Sequence, residues 1–483
     1  MNVERKMLRS DAVFVVGCAV AYAVVAFLMP PSISLVEPDS ASYINFDPSR
    51  TALYPAFLYV CKLIGLGLIQ IAWLQIVLFS AALGYLLMSL LRAGFPRLLL
   101  VLLVAALAGN ILFTSFHQSI LTESVYFSLG VVATGLWIDY FRTGRVLLLA
   151  LAGLVLGLMI GVRPVGMALV PMQVIAVLIK RTPHISKWVL ILIAMVPVGM
   201  SVGGERLLYR LVHRAPSQST APLLFMGKAA MLIKPNMTFS GPHAQALTAV
   251  GAQLLTSFGP WQKILADSPS FSVRVILSAP YEGQAQAQAF LLNELTEAAA
   301  QAKTTVDELR VELGTQVILQ NLSGYLEQTL LTQVGQWYVN AQRFPPNARM
   351  VAAYAEANPA VALDGRITPE MLKPTPSNFA LIVYPAFLIA GAVTFVLAFG
   401  VLLFIARPGL MDDAIGFYLG IAVFLSVMCH AYTLFISLAN VWTSRFLMAV
   451  FPQLEIIALC LVMIVIHWWK GAKSAARPRP GLG

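Results

Sequence analysis

The sequence carries very little charge for its length. Asp, Glu, Lys and Arg together make up 11% of its 483 residues, whereas hydrophobic residues make up 59%. A water-soluble protein has about 25% charged residues and is about 45–50% apolar. This deficit excludes an ordinary soluble domain. Apolar runs near the required length of about 20 residues recur along the chain, which predicts an all-α polytopic membrane protein.

Cysteine is scarce, and several motifs of soluble enzymes are missing. The four cysteines all lie in apolar segments: Cys18, Cys61, Cys429 and Cys460. This placement indicates small core residues rather than a disulfide framework or a thiolate metal site. The sequence has no H-E-x-x-H motif, no phosphate-binding loop and no dinucleotide-binding glycine pattern. The use of a soluble nucleotide sugar on the cytoplasmic face therefore has no support.

The net charge is +10, and the basic residues behind it are distributed along the chain as in a membrane protein. Alternate short loops divide the basic residues into fifteen on one side (Arg5, Lys6, Arg9, Arg92, Arg97, Arg142, Arg145, Lys180, Arg181, Lys187, Arg407, Lys470, Lys473, Arg477 and Arg479) and four on the other (Arg50, Lys62, Arg163 and Arg445). Lysine and arginine are enriched in cytoplasmic loops. The bias therefore predicts that both termini are cytoplasmic, and it argues against a nucleic-acid partner.

This sidedness predicts about ten spans. They lie near 11–30, 71–91, 98–115, 124–140, 146–162, 165–180, 188–206, 379–405, 414–437 and 446–468. The first apolar run is interpreted as a retained anchor, because it is longer than the usual 7–15-residue core of a signal peptide. Residues 53–69 contain Lys62 and are interpreted as a helix that lies along the outer membrane surface or re-enters it.

Three domains follow from these spans. Residues 1–206 form an N-terminal membrane module with spans one to seven and a catalytic first outer loop at 31–70. Residues 207–378 form a mainly helical periplasmic domain, and residues 379–483 hold the last three spans and a basic cytoplasmic tail. The positively charged tails and the lack of eukaryotic retention signals favour a bacterial inner membrane, with the lipid bilayer as the chain's environment.

Unusual polar residues for a membrane protein fall on the predicted outer side. Four separate connections contribute them: Asp39 and Arg50, then His117 and Glu123, then Arg163, then Arg445. Arginine binds phosphate through a planar fork of donors, and a nearby carboxylate can take a proton from a hydroxyl. Their convergence above the helices predicts a cavity for a substrate that carries a phosphate and for an acceptor that carries a hydroxyl.

Four motifs resemble the polytopic glycosyltransferases of the GT-C fold, the superfamily of the protein mannosyltransferases and the aminoarabinose transferases. They are E-P-D-S-A-S-Y after the first span, S-R-T-A-L-Y-P-A-F-L, I-L-T-E-S-V-Y-F-S-L-G and G-L-M-I-G-V-R-P-V-G. Their order and sidedness carry the resemblance over residues 1–205. It implies a GT-C-like fold and a donor sugar linked to polyprenyl phosphate.

The resemblance also implies roles for individual residues. Asp39 matches the family's catalytic aspartate, Glu123 its second acidic residue, and Arg163 a phosphate or substrate contact. The family more often has Asp in place of Glu123, a difference that argues against a metal role for this residue. Dependence on a divalent cation such as Mg or Mn stays open, because acidic residues can bind such ions through oxygens, and no metal ligand is predicted. Arg50 and Arg445 are added from their positions, and the predicted binding set is completed by His117, Tyr43 and Tyr54.

Each of these residues also has a simpler structural interpretation. Asp39 could cap a helix that begins near Ser40, and Glu123 could lie at a helix start because the helix dipole favours it there. His117 could be a structural hydrogen-bonding residue. Arg163 and Arg445 could be arginines that reach for lipid headgroups.

The sequence therefore predicts an inverting membrane glycosyltransferase that acts on the periplasmic side. Its donor would be a polyprenyl-phosphate sugar, and its acceptor a hydroxyl of a glycan, a lipid or a protein. The alternative is a transporter or flippase of lipid-linked saccharides. Such transporters often have paired half-chain repeats, and no such pairing is evident in the sequence. A non-enzymatic assembly subunit is a further alternative.

Overall fold

The structure is a computed structural model that describes residues 2–37, 39–180, 182, 185–215, 221–267, 271, 274–275, 293–337, 378–439 and 444–475. Within these ranges every regular element is a helix, and no strand is present. A helix satisfies its backbone hydrogen bonds internally, which a segment within a lipid bilayer requires. The prediction of an all-α membrane protein is confirmed at this level.

Nineteen α-helices are numbered in chain order over the described residues. They are α1 Asn2–Leu28, α2 Ser40–Ile44, α3 Leu53–Leu63, α4 Leu68–Arg92, α5 Arg97–Gly109, α6 Ile111–Ser115, α7 Thr122–Thr143, α8 Val146–Val162, α9 Val170–Ile179, α10 Lys187–His213, α11 Ala221–Leu232, α12 Ala244–Ala266, α13 Asn293–Ala302, α14 Val306–Gln320, α15 Leu322–Trp337, α16 Asn378–Ala406, α17 Ala414–Ala439, α18 Ser444–Met448 and α19 Phe451–Ala475. Short 3₁₀ helices cover Phe116–Gln118, Pro164–Leu169 and Pro408–Asp412.

Seven helices of the described residues are long and apolar enough to cross a bilayer. They are Arg9–Leu28, Leu68–Arg92, Thr122–Thr143, Lys187–His213, Ala386–Ala406, Ala414–Leu438 and Phe451–Lys470. This set indicates a multi-pass membrane protein. The predicted fifth and sixth spans correspond to α8 and to the 3₁₀ segment with α9, which are apolar but shorter than this length.

The third predicted span, 98–115, is not one straight helix. It is broken at Asn110, and the axes of its two parts, Arg97–Gly109 and Ile111–Gln118, differ by 67°. Asn110 has an extended backbone, and its side chain accepts a hydrogen bond from the Phe113 N–H at 3.0 Å, which starts α6 as a new helix. Counting this bent pair as one span gives up to eight spans in the described part, against about ten predicted from hydropathy.

The segment that contains Lys62 forms a short helix. α3 has 11 residues and Lys62 lies in its last turn. At about 1.5 Å of rise per residue, such a helix is too short to cross a hydrocarbon core of about 30 Å. Its length agrees with the interpretation of residues 53–69 as a surface or re-entrant segment.

The chain divides into two compact units. The first contains residues 1–217, 340–432 and 448–483, and the second contains residues 218–339 and 433–447. α10 continues to His213, through the domain boundary that the sequence predicts at 206. Residues 340–377, which the sequence assigns to the periplasmic domain, lie outside the described residues.

In the first unit, five helices pack side by side in one row, with α7 in the middle. α4 packs against α1 and α7, α7 packs against α8, and α8 packs against α10. The ring of Phe424 on α17 contacts Trp137 and Phe141 of α7, with centroids 5.1 and 5.0 Å away. α7 is therefore enclosed by neighbouring helices, and its first turn carries Glu123.

The second unit has its own hydrophobic core. α11 packs against α14 and α12 packs against α13, and together they bury residues such as Met226, Leu254 and Leu313. α14 begins with a capping box, in which the Thr305 hydroxyl accepts from the Glu308 N–H and the Glu308 carboxylate accepts from the Thr305 N–H. The described part of this unit is helical, as the sequence predicts for the outer domain.

Glycines on α8 allow close contact with α10. A Cβ built on Gly153 would lie 2.2 Å from the Ala194 carbonyl oxygen, and one on Gly157 would lie 2.5 Å from the Ser201 Cβ. Both pairs advance together along the chain, so the two helices run parallel. Small residues at such a contact let helix backbones touch and gain packing energy that lipid does not supply.

We expect Gly153→Ala to lower the free energy of unfolding by about 1–3 kcal/mol, because the new methyl group would force α8 and α10 apart. Thermal unfolding of the purified protein in detergent measures this change. Gly199→Ala on α10 is the matched control, since a Cβ there meets nothing within 4 Å. The control should be neutral or slightly stabilising. Equal unfolding temperatures for the two variants would contradict the close contact.

Candidate functional site

The loop at residues 29–52 connects α1 to α3 and carries α2. Hydrogen bonds fasten it to the end of α6 and to the chain that leads into α7: the Ser32 N–H donates to the Ser115 hydroxyl at 2.7 Å, and the Ile120 N–H donates to the Leu35 carbonyl at 2.8 Å. These bonds join residues more than 80 positions apart. The loop therefore has a fixed place at one end of the helices.

Asp39 directly precedes α2, and its side chain makes no capping hydrogen bond to that helix. Its carboxylate instead accepts from the Arg50 Nη2 at 2.7 Å. The two side chains are 34% and 25% exposed, respectively. Asp39 is therefore held by an ion pair that solvent and a ligand can reach.

Arg50 bonds to three groups of the same loop. Besides Asp39, its Nε donates to the Ser42 hydroxyl at 2.7 Å and its Nη1 donates to the Tyr43 hydroxyl at 3.2 Å. The Arg50 Cζ lies 4.5 Å from the centre of the Tyr43 ring, a cation–π distance. The guanidinium is thus oriented by the loop that also presents Asp39.

A column of buried polar groups supports Tyr43. Its ring meets that of Tyr54 edge-on, with centroids 5.4 Å apart, and the Tyr54 hydroxyl donates to the Gln75 Oε1 at 3.0 Å. The Gln75 amide in turn donates to the carbonyls of Ser119 and His117 at 2.8 and 3.3 Å. Burial raises the pKa of the Tyr43 phenol, so this hydroxyl stays protonated and can donate a hydrogen bond.

Glu123 and Arg163 form a second, buried ion pair. Glu123 lies in the first turn of α7, and its Oε1 is 2.8 Å from the Arg163 Nη1. The two side chains are 2% and 11% exposed. Burial opposes the charge of Arg163, but the Glu123 carboxylate together with the phenols of Tyr432, Tyr43 and Tyr126 outweighs this effect and raises the pKa of the guanidinium. Arg163 is therefore an ion-paired residue rather than one that extends to lipid headgroups.

The backbone places Arg163 at a break between helices. Pro164 follows it and disfavours a helical conformation at the preceding residue. Arg163 accordingly has an extended backbone, with φ −144° and ψ 123°, between α8 and the 3₁₀ helix Pro164–Leu169. This break turns the guanidinium towards α7, where Glu123 lies.

The two ion pairs share one neighbourhood. The charges of Arg50, Asp39, Arg163 and Glu123 all act on the Tyr43 phenol, and the charge of Glu123 also acts on Tyr54. Six of the eight residues predicted from the sequence are thus brought together. An accessible pair and a buried pair, with the Tyr43 phenol within the electrostatic reach of both, form a site that can bind an anion and move a proton.

The side chain of His117 has a different environment. It is buried among aromatic rings, the nearest being that of Phe79 at 4.3 Å, and its Nδ1 is 2.8 Å from the Ser124 hydroxyl. This environment fits the structural interpretation of His117. The side chain of Arg445 lies outside the described residues, although its backbone belongs to α18. Among the described residues, no group of three or more His, Cys, Asp or Glu could hold a metal ion.

Sequence reasoning missed three residues that support the loop. Gln75 supports Tyr43 through Tyr54 and donates a hydrogen bond to the Ser119 carbonyl. The Glu205 Oε1 accepts from the Ala52 N–H at 2.7 Å, and the Tyr209 hydroxyl donates to the Pro48 carbonyl at 2.6 Å. A glutamine within an apolar run, or a carboxylate near the end of one, is the pattern that could have indicated the first two.

An apolar cavity of about 390 Å³ borders the same loop. Most of its lining is hydrophobic and comes from α1, the loop and α4, with Phe27, Leu35, Trp73 and Ile76 among the residues. Phe27 and Trp73 are exposed, so the cavity opens at the surface of the helices. Ser34 also lines it, and the Ser34 N–H donates to the Glu37 carboxylate, two residues before Asp39.

No protein-family model, no curated protein and no solved structure matches this chain. Support for a function therefore comes from the geometry of the two ion pairs, from the cavity beside them and from the sequence motifs.

Breaking the buried ion pair should destabilise the protein more than removing both charges. We expect Glu123→Gln or Arg163→Gln alone to cost about 3–5 kcal/mol, because each leaves its partner charged in a buried place. The double variant should lose clearly less unfolding free energy than the sum of the losses in the two single variants. Unfolding of the four proteins in detergent gives this double-mutant cycle. Additive losses would mean that Glu123 and Arg163 do not interact.

Proposed function

We propose that this protein is an inverting glycosyltransferase of the GT-C type. It transfers a sugar from a polyprenyl-phosphate donor to an acceptor hydroxyl on the periplasmic side of a bacterial inner membrane. One observation carries the proposal: a partly exposed carboxylate, Asp39, lies 2.7 Å from an arginine that the same loop orients. A proton acceptor and a phosphate-binding fork are the two groups that this transfer needs.

Arg50 has a role before the reaction as well as during it. Without a ligand, its guanidinium holds the Asp39 carboxylate in an ion pair. A donor phosphate offers oxygens that bind the same fork of donors. When the phosphate draws Arg50 away, the Asp39 carboxylate is released to accept the hydrogen bond of the acceptor hydroxyl. The accessible pair can make this exchange, whereas the buried Glu123–Arg163 pair contributes a fixed charge distribution.

The bond changes follow from these positions. Asp39 accepts the proton of the acceptor hydroxyl while the hydroxyl oxygen attacks the anomeric carbon of the sugar. The bond from that carbon to the phosphate oxygen breaks, and its electron pair leaves on the lipid phosphate. Arg50, together with the positive charge of Arg163, stabilises this developing negative charge. Attack on the face opposite the leaving group inverts the anomeric configuration.

The apolar cavity suits the hydrocarbon part of such a donor. It is bordered by α1, α4 and the loop that carries Asp39, and exposed rings of Phe27 and Trp73 stand at its opening. A prenyl chain in the bilayer could enter it sideways, with its phosphate held near the loop. The chain is already in lipid, so the hydrophobic effect adds little, and packing contacts with the cavity walls would hold this part of the donor.

The transferase is tested with the purified protein, a labelled polyprenyl-phosphate sugar and an acceptor hydroxyl. Asp39→Asn should reduce transfer by about 10²–10⁴-fold, the usual contribution of a general base, and leave folding intact. Asp47→Asn is the matched control: it changes a carboxylate of the same loop that bonds only within a turn to Ser49. The hydrogen bonds from Ser49, first that of its hydroxyl and then that of its amide, lower the pKa of Asp47. Full transfer by Asp39→Asn, or an equal loss in Asp47→Asn, would contradict the assignment.

The same preparation separates the enzyme from the transporter alternative. Transfer of labelled sugar in detergent, where no second compartment exists, requires an enzyme. Movement of the lipid-linked saccharide across proteoliposomes with no new glycosidic bond would instead support a flippase.

A further inference from the structure

We infer that the last turns of α10 act as a clamp that positions Arg50, and that Glu205 and Tyr209 are positioning residues of the site. The link to activity rests on the proposed function, whereas the clamp itself is a feature of the fold. Glu205, Tyr209 and His213 are spaced four residues apart and therefore share one face of α10. That face lies against residues 46–52 of the loop.

Two hydrogen bonds from α10 bracket Arg50. The Tyr209 hydroxyl donates to the carbonyl of Pro48, two residues before Arg50, at 2.6 Å. The Glu205 carboxylate accepts from the N–H of Ala52, two residues after Arg50, at 2.7 Å. Both side chains are buried. The backbone on each side of Arg50 is thus fixed to the same helix, which limits where the guanidinium can reach.

A strained residue lies next to these bonds. Phe46 has φ +48°. This conformation is unfavourable for a residue with a bulky side chain, and it persists only where the surrounding structure enforces it. Its ring packs edge-on against the rings of Tyr209 and His213, with centroids 6.2 and 4.5 Å away. The aromatic part of the clamp therefore fixes the turn that leads from Tyr43 to Arg50.

α8 holds the clamp in place from the other side. The Thr51 hydroxyl donates to the carbonyl of Val162 at 3.1 Å, immediately before Arg163. A Cβ on Gly161 would lie 2.5 Å from Leu53 and 3.0 Å from Glu205. The glycine therefore lets α8, α10 and the start of α3 meet at one point. Through these contacts the positions of Arg50 and Arg163 depend on the same three helices.

Glu205 and Tyr209 are buried away from any substrate, and the clamp explains why they should still affect substrate binding. Neither Glu205 nor Tyr209 touches Asp39, and both act through the backbone of residues 48–52. If that backbone is loosened, Arg50 keeps its charge but loses its place beside Asp39 and Tyr43. The expected consequence is weaker binding of the donor phosphate rather than loss of the proton acceptor.

Hydrogen–deuterium exchange of the full-length protein in detergent tests the clamp directly. Tyr209→Phe removes one hydroxyl and keeps the ring, so the amides of residues 46–52 should exchange about fivefold faster, the factor that one lost hydrogen bond gives. Tyr59→Phe is the matched control, since Tyr59 is 62% exposed on α3. Equal exchange in both variants would overturn the clamp.

Transfer kinetics give the second measurement. Tyr209→Phe should raise the KM for the labelled polyprenyl-phosphate sugar about fivefold, because the phosphate-binding arginine is less well placed. A variant that merely folded poorly would lower the apparent kcat at an unchanged KM. Glu205→Gln keeps an acceptor oxygen for the Ala52 N–H and should retain a near-normal KM, whereas Glu205→Leu should not. An unchanged KM in Tyr209→Phe would contradict the positioning role.

The two proposals fail separately in this design. If the wild-type protein transfers no sugar from the donor, the glycosyltransferase proposal fails, and the exchange measurement still decides whether α10 holds the loop. If transfer occurs but exchange is unchanged in Tyr209→Phe, the clamp fails alone. If Glu205→Leu does not fold, Tyr209→Phe carries the test, because its ring contacts remain.

Discussion

The site depends on one guanidinium, that of Arg50. It is shared among a carboxylate, a hydroxyl and a phenol, all of which belong to a loop of about twenty residues, and its three hydrogen bonds set the geometry of Asp39. A loop with only one short helix cannot hold such a group by itself, because each ordered residue costs about 1–2 kcal/mol of backbone entropy. The helices supply the order: α10 fixes the backbone around Arg50, and the column of Tyr54 and Gln75 supports Tyr43.

The two ion pairs differ in their surroundings, and this difference gives them different capacities. An accessible pair is worth little in stability and can exchange one partner for an anion at small cost. A buried pair is expensive to break, because either charge left alone would lie in a medium of low polarity. Asp39 with Arg50 can therefore exchange a partner for an anion, while Glu123 with Arg163 stays fixed and joins α7 to the end of α8.

Much of this arrangement could be predicted from the sequence, and its limits have physical causes. The long apolar runs predict α1, α4, α7 and α17 well, because hydropathy measures the property that places a helix in lipid. The break at Asn110 was missed, since an amide that caps a new helix leaves the average hydropathy of its run unchanged. The true length of α10 was also missed, because its last turns carry charged residues that resemble a loop, and those turns hold Tyr209 and His213.

The sequence by itself determined that the chain is a helical membrane protein and that a few charged residues stand beside its apolar runs. This was possible because hydropathy and charge are local properties, which can be read from a run of consecutive residues. The tertiary structure alone decided which charges are partners. Glu123 meets Arg163 across 40 positions, and Glu205 reaches Ala52 across 153. Such pairs form only when packed helices bring distant turns together, so no local pattern contains them, and the same packing places the His117 ring among aromatic rings.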